Sequence, residues 1–299
     1  MSSTTLHAAA PELPDVLPPR KARGRVAMFA YRHPSIFAGG LLVALILASA
    51  IFAPWLGTVD PTALAPAKRL RLPSETYWFG TDMLGRDIYS RVLYGTRVSL
   101  QVGISVAFFA SVIGMFIGLT SGFVRILDTV VMRVMDGLMS IPGILLAIAL
   151  MALTRGSVGN VIIAITITEV PRVSRLVRGV VLSLREQPYV EAAVAAGTRV
   201  PKIIWKHILP NTLAPITVQA TFICASAMIT EATLSFIGAG TPPTIPSWGN
   251  IMAEGRALWQ VKPFIVFFPA VFLSVTVLSV NLLGDGLRDA LDPRMAKKI

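Results

Sequence analysis

Four carboxylates stand in or beside long apolar runs of this chain: Asp136, Glu169, Glu231 and Asp285. A charge at mid-bilayer depth costs roughly 2.5 to 3.5 kcal/mol on insertion scales, so such residues are the first suspects for function in a membrane protein. Asp136 and Asp285 fall near the expected inner ends of their runs and read as structural partners of nearby arginines. Glu231 opens the outer third of its segment. Glu169 directly precedes Val170-Pro171-Arg172, and two readings compete: it reaches cytoplasmic water, or it touches what the protein handles. Other chemistries lack their residues. His7, His33 and His207 are far apart with no HExxH, which speaks against a zinc enzyme. No lysine follows a glycine, so ATP is not bound through a P-loop, and no GxSxG marks a serine hydrolase. No nucleophile shares a span with a base, so an intramembrane enzyme is not supported. Neither a metal nor a cofactor is expected on this chain.

A second candidate is mechanical. In "YVEAAVAAGTRVPKIIWKHILPN", Tyr189 to Asn211, a short alanine-lined helix precedes a glycine and a basic amphipathic stretch. Pro188 suits a first helical turn, because its missing N–H would be unpaired there anyway, and Glu191 sits near the positive end of the dipole. Ala192, Ala193, Ala195 and Ala196 leave the rod almost without protruding side chains, and Gly197 supplies the stop. Pro201 then starts a second helix in which Ile203, Ile204, Ile208 and Leu209 are expected to face the membrane, with Lys202 and Lys206 at the headgroups. Pro210 is expected to turn the chain into the next span. On spacing alone, an ordinary interfacial hairpin and a projection that fits a groove remain equally open.

The elements that must position these residues are membrane spans. Of 299 residues, 54% are hydrophobic and 14% charged, and the mean hydropathy is +0.68, leaving too little polar surface for a water-soluble domain. A span needs about 20 apolar residues. The runs Ile36 to Leu56, Val98 to Val124, Gly137 to Thr154, Ile208 to Thr230 and Pro263 to Gly284 approach or exceed it. Gly156 to Thr168 is short by itself and counts only if Glu169 and Arg172 lie near an interface. The expected fold is therefore all-α and integral to the membrane, with six spans. Net charge is +11, but the basic residues are spread among loops, which argues against nucleic acid. Arg20, Lys21, Arg23, Arg25 and Arg32 crowd the N-terminal end of the first span, as the positive-inside tendency predicts for cytoplasmic termini. Lys68, Arg69, Arg71, Arg86, Arg91 and Arg97 would then be external, which weakens that orientation. Residues 1–35 read as a largely disordered cytoplasmic tail. Ala48-Ser49-Ala50 resembles a signal-peptide cleavage site, yet the apolar run continues through Trp55, so the segment reads as an uncleaved anchor. Cys224 is the one cysteine, so no intrachain disulfide forms.

The boundaries expected are 36–56 for the first span, 57–97 for an outer segment, 98–285 for a five-helix core with an inner loop at 186–210, and 286–299 for a cytoplasmic tail. Gly114, Gly118 and Gly122 recur on one helical face, where small residues let backbones touch in lipid. Packing inside the subunit and lining a pore are both open readings. In the outer segment, "TDMLGRDIYSRVLYG" reads as an interfacial helix capped by Asp82, with Leu84, Ile88 and Val92 on its apolar side, an Asp87–Arg91 pair, and an end at Gly95. With the bend Gly238 to Pro246 and Trp248, it is either a docking surface, through Asp82, Arg86, Asp87 and Trp248, or a plain interfacial anchor.

Glu191-Ala192-Ala193, Gly197 and His207-Ile208-Leu209-Pro210 resemble the EAA signature of ABC importer permeases. "GTDMLGRDIYSRVLYGTRVSL" (Gly80 to Leu100), "MRVMDGLMSIP" (Met132 to Pro142), "SRLVRGVVLSLRE" (Ser174 to Glu186), "TEATLSFIGAGTPPTIPSWGNIMAEGR" (Thr230 to Arg256) and "NLLGDGLRDALDPR" (Asn281 to Arg294) look like the C-type inner-membrane permease of the dipeptide/oligopeptide (peptide/nickel) family. The resemblance covers most of Trp78 to Arg294. It implies a type I ABC importer permease fold and a non-catalytic subunit that forms, with a second homologous permease, a heterodimeric path across the bacterial cytoplasmic membrane for dipeptides or oligopeptides. It implies two ATPase domains or subunits carrying ATP and Mg, and an extracytoplasmic substrate-binding protein. It also implies that Tyr189, Glu191, Ala192, Ala193, Ala196, Gly197, Pro201, His207 and Pro210 form the coupling element docked on the ATPases. Nickel, haem and other peptide-like solutes share this type of permease. An ion-gradient carrier is the rival class, but the repeated mid-membrane ionisable or broken-helix pattern expected of one is not seen.

Overall fold

The structure, a computed structural model, describes residues 33–291. The expected tail at 1–35 falls almost wholly outside the described residues. Helix α1 is Pro34–Ile51 and α2 is Ile88–Phe123. Then come α3, Arg125–Met139, α4, Gly143–Ala152, α5, Val158–Arg185, and α6, Pro188–Ala195. Helix α7, Val200–Ile203, runs through a π turn at Ile204–Ile208 into α8, Leu209–Phe236. The short α9 is Trp248–Gly255 and the last, α10, is Phe264–Leu291. Among the described residues the one β contact is an isolated bridge between Thr81 and Asp87.

Four helices are long and apolar enough to cross a bilayer: α1, α2, the continuous Val200–Phe236, and α10. The expected straight span from Gly137 to Thr154 is broken. Helices α3 and α4 meet at 89° across Ser140-Ile141-Pro142, and together they make at most one bent span. Proline explains the break, because it cannot donate the helical hydrogen bond and it pushes its predecessor out of the helical region. Six spans were expected, whereas length and composition support four, or five with the bent pair. Helix α5 takes in the short run from Gly156. Its 28 residues reach about 42 Å, but Glu169, Arg172, Arg175 and Arg178 make it too charged to qualify. Helix α1 stops at Ile51, where Pro54 allows only a tight turn at Ala53–Trp55. Helix α10 continues to Leu291 because no breaker intervenes before Pro293, so 286–291 of the expected tail are helical.

The outer segment departs most from expectation. Among the described residues the stretch Thr81 to Gly95 forms no separate interfacial helix: the chain enters α2 at Ile88 and continues through Gly95 without a stop. Gly95 ends nothing because it lies inside that helix, where an added Cβ would come 3.0 Å from the Pro246 carbonyl oxygen. Asp87 caps α2, accepting from the Ser90 N–H at 2.8 Å, and it makes no ion pair with Arg91 among the described residues. Asp82 is instead the hub of the loop. It accepts from the N–H groups of Leu84 and Arg86 at 2.8 and 3.0 Å, from Arg86 Nε at 2.7 Å and from Arg91 Nη1 at 2.6 Å. Glu254, on α9, takes both arginines as well. Ile88 and Val92 are buried, but Leu84 is exposed and does not share their face. Farther out, the hydroxyl and N–H of Thr62 hold the Asp60 carboxyl below its ordinary value.

This two-acid, two-arginine cluster ties the loop to α9, and Arg91 and Asp82 are almost wholly buried. Removing one member of a buried ion network strands the others, which typically costs about 3–5 kcal/mol. Arg91→Ala is therefore expected to lower the unfolding temperature of the detergent-solubilised protein markedly, whereas Arg69→Ala, at an exposed position in the same loop, leaves it unchanged. Equal melting of the two variants in a thermal-shift assay would remove the cluster as an anchor.

Candidate functional site

Helix α6 is built as its sequence suggests. Gln187 precedes it, Pro188 opens it and Glu191 lies in its first turn. At the other end, Gly197 adopts φ +74°, a left-handed conformation that costs side-chain-bearing residues roughly 1–2 kcal/mol. Its N–H reaches Val194 O at 2.9 Å, and the Thr198 N–H reaches Ala193 O at 3.0 Å. These two bonds satisfy the last carbonyls in the Schellman pattern. Glu191, Ala192, Ala195 and Ala196 are exposed, while Val190, 2% exposed, roots the rod in the main hydrophobic core. The Tyr189 and His207 rings lie 6.1 Å apart, joining the rod to the chain that leaves it.

That second arm corrects two expectations. Ile203 and Ile208 are buried in the same core as Val190 and do not face lipid; the exposed apolar residues there are Val200 and, at 75%, Trp205. Ile204 and Leu209 are partly buried against that core. Pro210 does not turn the chain, because it sits in the first turn of α8. Its missing N–H is absorbed by the π turn, closed by Leu209 N–H donating to Ile204 O. Pro201 lies in the first turn of α7, as expected of a helix start. The rod thus hangs between two long helices, α5 and Val200–Phe236.

Helix α5 carries contacts to two neighbours. Gly114, Gly118 and Gly122 on α2 face Val173, Val177 and Val181 on α5, both series spaced by four. A Cβ on Gly118 would lie 2.6 Å from Val177 Cβ and 2.7 Å from Ser174 O. The glycines therefore pack within the subunit. On its other side, Arg175 pairs with Asp136 at 2.5 Å, and Arg178 grips Asp128 with Nη2 to Oδ2 at 2.7 Å, binding α5 to α3. Arg185 closes the C-terminal end of α5 by donating to Gly122 O at 2.7 Å. Asp136 thus has its arginine. Asp285 is exposed and has no ion pair among the described residues.

The outer set does not form an exposed docking surface. Asp82 and Trp248 are 0% exposed, Arg86 7% and Asp87 9%. Most of their polar atoms are consumed internally, Trp248 Nε1 donating to Val92 O at 3.1 Å, while Asp87 Oδ1 is buried without a hydrogen-bond partner. Glu231 is equally buried and receives the Ser235 hydroxyl at 2.8 Å. Ser235, Thr241, Ser247 and Asn250 continue this hydroxyl chain to the start of α9. Glu169 is nearly buried, 7% exposed, and accepts from Arg172 Nη1 at 3.1 Å. Among the described residues no group of His, Cys, Asp and Glu could hold a metal ion.

Residues 110–297 match the family described as "Binding-protein-dependent transport system inner membrane component". The chain belongs to this family. As a component of such a transporter it is an inner-membrane protein working with a binding protein and an ATPase. It is 52% identical over 280 residues to a probable peptide ABC transporter permease protein, y4tQ, of Sinorhizobium fredii, covering 94% of this chain and 96% of the relative. It is 43% identical over 258 residues to the dipeptide transport system permease protein DppC of Alkalihalophilus pseudofirmus, covering 86% and 85%. Its fold is similar to a chain of the MetNI methionine ABC transporter in inward-facing conformations. There the TM-score is 0.55 and identity 21%, over 69% of this chain and 98% of the other. The all-helical fold is thus that of an ABC importer permease.

Several members of the site escaped the sequence reading. Val173, Val177 and Val181 carry the same period as the glycines they meet, and aligning the two stripes would have paired them. The partnership of Arg91 with Glu254 joins residues 163 positions apart, and nothing local signals it.

Proposed function

We propose that this chain is the non-catalytic permease subunit that, with a second homologous permease, forms the membrane path of an ATP-driven peptide importer. ATP and Mg belong to two partner ATPase domains, and this chain binds no cofactor. Both termini lie in the cytoplasm, so α6 lies on the ATPase side. The observation that carries the reading is the exposed rod Pro188–Ala195, rooted by Val190 and continuous at both ends with long helices. A cleft on an ATPase that moves Glu191, Ala192 and Ala196 moves α5 and α8 with them. Relatives named for peptide and dipeptide transport support the substrate class. On the opposite side, the delivering protein would meet exposed residues such as Met83 and Leu84, with the buried Asp82 cluster holding their loop in place.

The test is reconstitution of this permease, its partner permease, the ATPases and the binding protein into proteoliposomes, followed by uptake of radiolabelled tri-alanine. ATP-dependent uptake that requires the binding protein is expected. Uptake of nickel or haem but not peptide, or uptake driven by an ion gradient without ATP, would overturn the assignment.

A further inference from the structure

Glu169 and Arg172 sit where a transported molecule has reason to meet them. Glu169 lies eleven residues into α5, about 16 Å along the helix from its Val158 end, and its side chain is almost wholly enclosed by the protein. Beside it is a cavity of about 280 Å³ bounded by the α3–α4 elbow at Met139 and Ile144, by Thr168, Glu169 and Arg172 of α5, and by Ser226 of α8. That volume is at the lower end of small-ligand sites. The two charged side chains differ in burial. Glu169 is 9% exposed at its side chain and Arg172 57%, so the carboxylate is fixed in the wall and the guanidinium is free to swing.

We infer that this pair reads the two ends of a peptide in transit: Glu169 takes the α-ammonium group, and Arg172 swings away to take a carbonyl or the terminal carboxylate. The inference rests on the peptide reading above and deepens it. A bare buried charge is costly, and so is a peptide's zwitterion stripped of water. Opening the Glu169–Arg172 contact gives each peptide charge an opposite partner, and closing it after release leaves neither side chain exposed alone. Because the pair competes with its own ligand, the site stays weak, as a path must if what enters is also to leave. The Ser226 oxygen adds an acceptor for a peptide N–H.

The experiment uses the complete reconstituted complex with Cys224→Ser in this chain. Glu169→Gln and Arg172→Gln are each expected to cut tri-alanine uptake at least tenfold. The exchanged pair, Glu169→Arg with Arg172→Glu, is expected to keep the parent's melting temperature yet transport no better than the single variants, because its polarity is reversed. Uptake restored by the exchange would make the pair a structural lock and overturn the inference, as would single variants that transport at the parent rate. A separate arm needs no altered charge: Ser226→Cys is labelled with a charged methanethiosulfonate, the thiolate forming a mixed disulfide and releasing methanesulfinate. Loaded binding protein plus ATP and vanadate is expected to slow labelling at least fivefold, and no slowing removes the peptide from this cavity. A parent complex that imports no tri-alanine fails the peptide reading itself, and this inference with it.

Discussion

Gly118→Val is expected to abolish uptake and to reduce the yield of folded permease. The new side chain would begin 2.6 Å from Val177 Cβ and 2.7 Å from the Ser174 carbonyl oxygen. The second contact is with backbone, which cannot rotate away. Overpacking a soluble core by a methylene or two costs about 1–3 kcal/mol. Here the strain falls on the middle of a three-step seam, so α2 and α5 must separate along their length. Lipid offers little hydrophobic force to hold them together once close packing is lost. Gly179→Ala, on the same α5 but with nothing within 4 Å of its added Cβ, is the control and is expected to behave as the parent. Val177→Ala placed with Gly118→Val removes only Cγ1, 2.9 Å away, and leaves Val177 Cβ and the Ser174 carbonyl in the way, so it is expected to recover little of the lost melting temperature. A Gly118→Val complex with parental melting and uptake would show that the two helices are farther apart than described.

Glu191→Lys and Gly197→Val are expected to separate hydrolysis from transport, with membrane insertion unchanged. Glu191 is exposed in the first turn of α6. Reversing its charge acts on the helix dipole and on any partner surface, not on the core. Gly197 has open space around it, so valine there acts through the backbone alone: φ +74° is denied, the two closing bonds are lost, and the rod leaves at a different angle. Uptake is expected to fall more than about tenfold, equivalent to roughly 1.4 kcal/mol of coupling, while ATPase activity of the complex persists. Transport at the parent rate by both variants in proteoliposomes would dismiss α6 as the coupling element.

Periodicity and breakers made the inner half of the molecule legible. Pro188 and Gly197 bracket α6 because both act through local backbone chemistry, and the glycine stripe declares a close helix contact by its own spacing. Partners were harder to read. Ile203 and Ile208 lie on an apolar stripe that suits lipid and protein equally, and in a membrane sequence hydropathy does not distinguish the two. Pro142 and Pro210 show the same difficulty with breakers: one bends the chain through 89° and the other sits in a continuous helix, because a π turn re-satisfies the backbone only at the second. The outer segment misled most. Asp82, Arg86 and Asp87 are polar and follow an apolar run, which suggests a wet surface, yet they are enclosed by α9 from far along the chain. Charge alone does not signal burial when opposite charges arrive from elsewhere to neutralise it.

The π turn at Ile204–Ile208 also sets an angular phase. It holds one residue more than the same stretch of α-helix would need, and one residue corresponds to about 100° of rotation. The face that α7 presents toward the rod is therefore offset by that angle from the face its sequence would give in an unbroken helix with α8. Losing a residue here would not shorten the arm harmlessly. It would turn Ile203 out of its socket and swing α6 around the axis, leaving the linkage intact and aimed the wrong way.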